Sequence, residues 1–447
     1  MTAHERLAEA SERSRRMQKG IRQTTFAPET TKTLRRFSSW EAAELIFGVN
    51  RSTFNRKHRS NRGMPEGAQE TEGSGTKWFT IEELNAIRGA WTEKRGVNPL
   101  IPKRPANKRA LRVAVSNFKG GAGKSTTALH FAHAAALDGY KVLVVDFDPQ
   151  ATISHAMGLV DVAEELTVWG IIARDLMRET KRMNLQRQAR GEDREKGLIP
   201  YPSSISSAMI EELSHESFIT ETCWPTIDMI GSCANAAFVE FATAEYRMTN
   251  QAWSFFAAVD RYLDRIPDDR YDLVIFDCPP AIGYQSLNAV FAADVLYVPT
   301  GPGYWEYDST TSFMAQLSES LAEMGRGFEA SPTIGRKLPK DFLAIKVVLT
   351  RYEPNNELHN AMRVGLKRVF GDWVTEHPIE LTRAVEQTGR FLQSVYEMDY
   401  RRMTRETWRR ARRSFDAAYG EFKETALEAW EQLPASERRA AEAEPTG

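Results

Sequence analysis

A chain of 447 residues, 42 % hydrophobic and 27 % charged, has ordinary globular composition and length enough for two or three domains. Its formal net charge of −1 excludes whole-chain basicity as a reason to bind nucleic acid, so any such binding must come from the local distribution of charge. Cys223, Cys233 and Cys278 are too widely spaced for a disulfide framework or a Cys-x-x-Cys motif, and neither a long apolar run nor an apolar leader is present. These features predict a cytoplasmic protein without a membrane span.

Residues 1–36 are polar, with Leu7, Met17 and Ile21 too sparse for a core face. They read as an exposed helix, an arm for dimerisation, or a loosely ordered tail. Over residues 37–95 the pattern tightens. Ser38 or Ser39 can cap a helix whose buried side is Ala42, Ala43, Leu45 and Ile46, and Gly48-Val49 breaks it. Asn50 can cap a second helix, Arg51 to Arg59, with Phe54 inward and Arg51, Ser52, Asn55 and Arg56 outward. Five Lys/Arg, Lys57 and Arg59 among them, and no acidic residue lie between Asn50 and Arg62, as expected of an element entering the major groove. Residues 63–78, centred on Gly73-Ser74-Gly75, suit a β-hairpin wing, and Thr80 to Trp91 suits a closing helix with Ile81, Leu84 and Ile87 inward. This order resembles a winged helix-turn-helix of the MerR-like type; the alternative is a small helical domain with a solvated basic face. Residues 96–110, with Pro99, Pro102 and Pro105, read as a linker.

The chemistry-bearing stretch comes next. Leu111 to Ser116 is an apolar strand, Asn117 to Thr126 a glycine turn, and the residues from Thr127 to Asp138 a helix. Gly120, Gly121 and Gly123 allow successive backbone N–H groups to converge on a polyphosphate at the helix N-terminus, with Ala122 and Thr126 in the same cradle. Lys124 would reach the β- and γ-phosphates and Ser125 would hold Mg²⁺. Phe118 stands where the generic P-loop has glycine, and Lys119 is a second lysine just before the glycines. Lys-Gly-Gly-x-Gly-Lys-Ser resembles the deviant Walker A box of the ParA/MinD ATPases, and the resemblance implies that Lys119 reaches a partner subunit's nucleotide.

Lys141 to Asp146 is a buried parallel strand that delivers Asp146-Phe147-Asp148-Pro149-Gln150 beside the P-loop. By the same resemblance this segment is switch I, with Asp148 at the water-activating position and Asp146 in the outer coordination shell of Mg²⁺. Leu159 to Thr226 reads as an insertion with solvated helices. Ile227 to Gly231 reads as a strand and Thr249 to Leu263 as a helix. Leu273 to Asp277 is a Walker B strand whose Asp277 would hold the Mg²⁺ shell, and Cys278 to Gly283 resembles switch II. Val295 to Thr300 and Phe342 to Thr350 complete a parallel sheet, with a helix from Tyr307 to Glu323 between them. Arg351 follows the last strand, where a purine could stack, and is either an adenine contact or simply exposed. Arg383 and Arg390 lie in a segment similar to the family's nonspecific DNA surface, or serve in surface salt bridges. Finally, seven arginines between Arg401 and Arg413 precede Phe415, Tyr419, Phe422, Ala426, Trp430 and Leu433 at helical spacing. The distal half is acidic, which favours packing on the ATPase body over an anionic membrane.

The expected architecture is α/β: an arm (1–36), a winged helix-turn-helix (37–95), a linker (96–110), a P-loop NTPase with a parallel sheet flanked by helices (111–400) and a C-terminal amphipathic helix (401–447). The chain resembles the larger ParA type, similar to the RepA partition proteins of repABC operons. That implies a nucleoid-associated homodimer that binds ATP and Mg²⁺, coats DNA nonspecifically, is stimulated by a ParB-type partner and represses its own operon. The alternatives are a nucleotide-sensing operator repressor with negligible turnover, a metabolic relative, and a MinD-like membrane ATPase. No cysteine pair suits the iron–sulfur form of the metabolic relative.

Overall fold

A computed structural model describes residues 2–26, 32–61, 63–69, 76–91, 98–105, 107–190, 213–249, 253–329 and 340–434. The first helix, Ala3–Phe26, leaves Leu7, Met17 and Ile21 exposed, as their sparse spacing predicts.

The N-terminal module is built around strands β1 (Phe37–Ser38), β2 (Ala68–Gln69) and β3 (Lys77–Phe79), antiparallel in the order β1-β3-β2. Ser38 forms a capping box with Glu41 and starts a helix, Ser39–Glu41, that runs into a wider-wound segment, Ala42–Ile46. Gly48, at φ 63°, makes the turn. The Asn50 side chain then accepts from the Thr53 N–H at 2.8 Å and caps Arg51–Ser60. Phe54 is fully buried, stacked on Phe47 and Trp91 and edge-on to Phe79. Strands β2 and β3 pair antiparallel where a wing is expected, and the expected tip, Gly73-Ser74-Gly75, lies outside the described residues. Helix Ile81–Ala90, started by a Thr80–Glu83 capping box, buries Ile81, Leu84 and Ile87.

The larger sheet contains β4 (Leu111–Val115), β5 (Val142–Asp146), β6 (Thr220–Glu221), β7 (Ile227–Ile230), β8 (Leu273–Asp277), β9 (Val295–Thr300) and β10 (Ala344–Leu349). Their order is β10-β9-β4-β8-β5-β7-β6, and every pairing is parallel except β6 with β7 at the edge. Strands β4, β5, β8 and β9 are buried at every residue, which is why they read as continuous apolar runs. On one face pack the P-loop helix, Lys124–Leu137, and the C-terminal helix, Arg405–Gln432. On the other pack Val168–Ala189, Ala258–Leu263 and Tyr284–Ala292.

The C-terminal helix buries Trp408, Phe415, Phe422 and Trp430; Phe422 meets Phe131 at 4.7 Å and Trp430 stacks on Tyr140 at 5.8 Å. Among the described residues no helix is long and apolar enough to cross a membrane. This helix also touches the N-terminal module, where Trp408 lies 6.3 Å from Trp40, and Arg88 of that module donates to the Leu137 carbonyl.

Three sequence expectations are corrected. Within the supposed insertion, helix Val168–Ala189 buries Trp169, Ile172 and Leu176 in the core. Its dense charge from Arg174 onward hides the apolar stripe of its first turns. Residues 191–212 lie outside the described residues. The helix expected from Thr249 instead ends there: Phe238–Thr249 is one helix and Ala258–Leu263 another. The helix expected from Tyr307 is longer, Tyr304–Glu329.

Candidate nucleotide site

Strand β4 feeds the glycine loop directly into the P-loop helix. Gly121 and Gly123 have φ of 75° and 88°, and a Cβ on Gly123 would stand 3.4 Å from the Thr350 side chain. A side chain at Gly123 would therefore meet backbone strain, with its Cβ just in contact with Thr350. The loop is anchored by residues that sequence reasoning did not single out. Asn117 Nδ2 donates to the Pro299 carbonyl at 2.7 Å and to Thr310 Oγ1 at 3.0 Å, and Thr350 Oγ1 donates to the Ala122 carbonyl at 2.8 Å. Phe118, in place of the usual glycine, packs edge-on against Phe313.

Lys124 is buried at the start of the helix, and its ammonium donates back to the Lys119 carbonyl at 3.1 Å. Burial lowers its pKa, while Asp277, Cys278 and Asp148 pull it back up. Ser125 is half-buried on the next position. Lys119 is half-buried at the rim, and its ammonium makes no hydrogen bond or ion pair with a described residue.

The carboxylates converge from β5 and β8, in which Asp146 and Asp277 are register partners. Asp146 accepts from Ser154 Oγ at 2.6 Å, Ser154 N–H at 3.1 Å and Asp148 N–H at 3.0 Å, so it braces the switch turn. Asp148 is buried, and its Oδ1 accepts from the Gln150 N–H at 2.9 Å. Asp277 is fully buried, and with the Ser125 hydroxyl nearby neither of its oxygens is at hydrogen-bond distance of a partner among the described residues. Burial and the nearby Asp146 push its carboxyl well above the usual range, against the Ser125 hydroxyl and Lys124. An orphaned buried carboxylate beside a serine hydroxyl and a loop of backbone donors fits Mg²⁺, which binds through one or two protein oxygens plus substrate phosphates.

Beside the loop is a cavity of about 190 Å³, lined by Gly121, Gly123, Thr126, Thr127, Thr350, Arg351 and the segments around Ile379 to Leu381 and Val385. Its position suits a nucleoside base, and Arg351, in a left-handed turn at φ 54°, forms part of its wall. Only Arg351 of this wall outside the loop had a sequence signal, its place after a buried strand.

The basic residues are distributed over two surfaces. Arg51, Ser52, Arg56 and Arg59 are exposed on the second helix of the N-terminal module, and Asn55 is half-buried. Lys57 instead lies 5.5 Å over the Trp91 ring. Arg383 is exposed at the start of helix Arg383–Phe391, whose Val385 and Glu386 line the cavity beside the loop. Arg390 is in that helix, and its side chain lies outside the description.

Glycine cradle, helix N-terminus, paired strand-end carboxylates and parallel sheet together define a P-loop nucleoside triphosphatase, and residues 111–324 match the family model of an AAA domain. The chain is 29 % identical over 411 residues to "Putative replication protein A" of Rhizobium rhizogenes, spanning 91 % of this chain and 90 % of that protein. It is 26 % identical over 404 residues to Protein SopA of Escherichia coli strain K12, spanning 86 % and 87 %. A solved "Partition Protein" shares the fold with a TM-score of 0.60 at 16 % identity, over 95 % of this chain and 99 % of that one. Over most of its length the chain is thus similar in sequence to partition proteins of the ParA/SopA type, and it shares their P-loop fold.

Proposed function

We propose that this protein segregates DNA by an ATP-driven cycle of dimerisation. ATP binds with its phosphates on the loop from Gly120 to Thr126 and its base in the cavity beside Arg351. Ser125 and Asp277 would hold Mg²⁺, which supplies neutralising charge at the phosphate oxygens. Asp148 orients the attacking water, and Asp146 keeps the switch turn in place. Lys119 completes the site of a second subunit, so the γ-phosphate becomes part of the interface and hydrolysis loosens it. Each subunit's basic surface, Arg383 and Arg390 included, is weak singly; pairing two gives nonspecific DNA binding that depends on ATP. The helix-turn-helix represses the protein's own operon, and a ParB-type partner accelerates turnover.

The observation that carries this reading is the Lys119 ammonium, held at the loop rim with no partner among the described residues while Lys124 turns into the loop. The test is binding to random-sequence duplex DNA without nucleotide and with ADP, ATP or a nonhydrolysable analogue, alongside phosphate release. Tight binding that requires ATP or the analogue, with measurable release, is expected. Binding indifferent to nucleotide, or strengthened by ADP at one sequence only, contradicts it and favours the repressor.

A further inference from the structure

The last helix of the chain carries positive charge that its own packing does not use. Of the arginines around its start, Arg401 is bonded to Asp399 at 2.6 Å, Arg410 to Glu380 at 2.6 Å, Arg412 to Asp416 at 2.9 Å and Arg413 to Glu406 at 3.0 Å. Arg402, Arg405 and Arg409 make no ion pair with a described residue. The guanidinium groups of Arg405 and Arg409 lie 4.9 and 5.3 Å over the ring of Trp40, in the first helix of the helix-turn-helix. Stacking engages the face of a guanidinium and leaves its edge donors for other acceptors. The carboxylate beside Trp40, Glu44, accepts from the Trp40 indole N–H at 2.7 Å. The junction is fixed by Trp408 against Trp40. Arg402 and Arg405 are exposed and Arg409 is half-buried; Arg51, Arg56 and Arg59 on the second helix of the same module are exposed and make no ion pair among the described residues.

We propose that Arg402, Arg405 and Arg409 form a second phosphate-contacting strip, by which the C-terminal helix extends the DNA footprint of the N-terminal module. This rests on reading that module as DNA-binding. The charge is complementary to a duplex backbone, and a rigid mount on Trp40 lets it add affinity without reading sequence.

The test uses the full chain with ADP, a fluorescent duplex taken from directly upstream of its coding sequence, and a random duplex of equal length. Changing all three arginines to glutamine is expected to weaken both duplexes tenfold or more and to reduce the slope of log affinity against log salt by about 2 to 3. The ratio between the duplexes and DNA-free ATP turnover should not change. The corresponding triple lysine variant keeps the charge and should keep most of the slope. Unchanged affinity and slope in the glutamine variant, with Arg56→Ala abolishing binding, overturns the strip and leaves the module intact as the reader. Equal loss in the lysine and glutamine variants also overturns it, since the arginines would then act only by holding Trp40. If glutamine at Arg51, Arg56 and Arg59 changes nothing, the DNA-binding reading of the module fails and the strip fails with it as an extension of that footprint, a result distinct from the strip's own failure above.

Discussion

Asp146 and Asp277 face one another in register at the carboxyl ends of adjacent parallel strands, yet they are in opposite states. Asp146 is bound by Ser154 and the Asp148 N–H, whereas both oxygens of Asp277 are buried without a hydrogen-bond partner among the described residues. One carboxylate is committed to the turn and the other is not.

That difference has a pH signature. Burial and Asp146 raise the Asp277 carboxyl well above its ordinary 3.8. A raised group binds more protons folded than unfolded, so its contribution is fully present below the unfolded value and is lost as pH rises through the folded one. Asp277→Asn should therefore melt higher than the parent by about 1–3 °C at mildly alkaline pH without nucleotide. Mg²⁺-dependent phosphate release should fall about a hundredfold or more. Thermal melts at two pH values, with a phosphate assay, check both; a variant that melts lower at high pH contradicts the assignment.

Asp148 is buried in the switch turn without bracing a strand. Asp148→Ala is expected to bind ATP within about threefold of the parent and to lose turnover by about 10²–10⁴. Equilibrium binding of a labelled nucleotide and single-turnover phosphate release separate the two; undiminished release would remove Asp148 from the chemistry.

Lys32, ahead of the N-terminal module, is buried against Glu397 at 2.7 Å and donates to the Leu392 carbonyl at 2.9 Å and to that of Ala156, at the end of helix Thr152–Ala156. Burial pushes the Glu397 carboxyl up, but Lys32, His133 and the Ser394 N–H together hold it below its ordinary value. Its contribution is thus present above the unfolded value and lost as pH falls through the folded one. Lys32→Met leaves a buried carboxylate uncompensated, which costs about 3–5 kcal/mol. Urea unfolding should show that loss at neutral pH and a smaller one near pH 4, with part of the stability recovered in Lys32→Met/Glu397→Gln. Equal losses at both pH values would mean the pair is not the source.

The parts legible in the sequence are those with local causes. The closing helix from Thr80, the Asn50 cap, the glycines of the loop and the aspartates ending apolar strands each declare themselves within a few residues. The walls of the site do not: Asn117 is anchored by Pro299 and Thr310, Asp146 by Ser154, and the loop by Thr350, pairings made only when the sheet order brings those segments together. The Lys32–Glu397 pair is equally invisible, because nothing around either residue marks it for burial. Helix Val168–Ala189 was misread because charge crowds its distal turns.

The central claim is that Lys119 belongs to a partner's nucleotide site, and light scattering tests it most directly. With a nonhydrolysable ATP analogue the parent chain should double its mass, while Lys119→Ala should bind the analogue and stay monomeric. ATP-dependent dimers of normal affinity in Lys119→Ala would contradict the account.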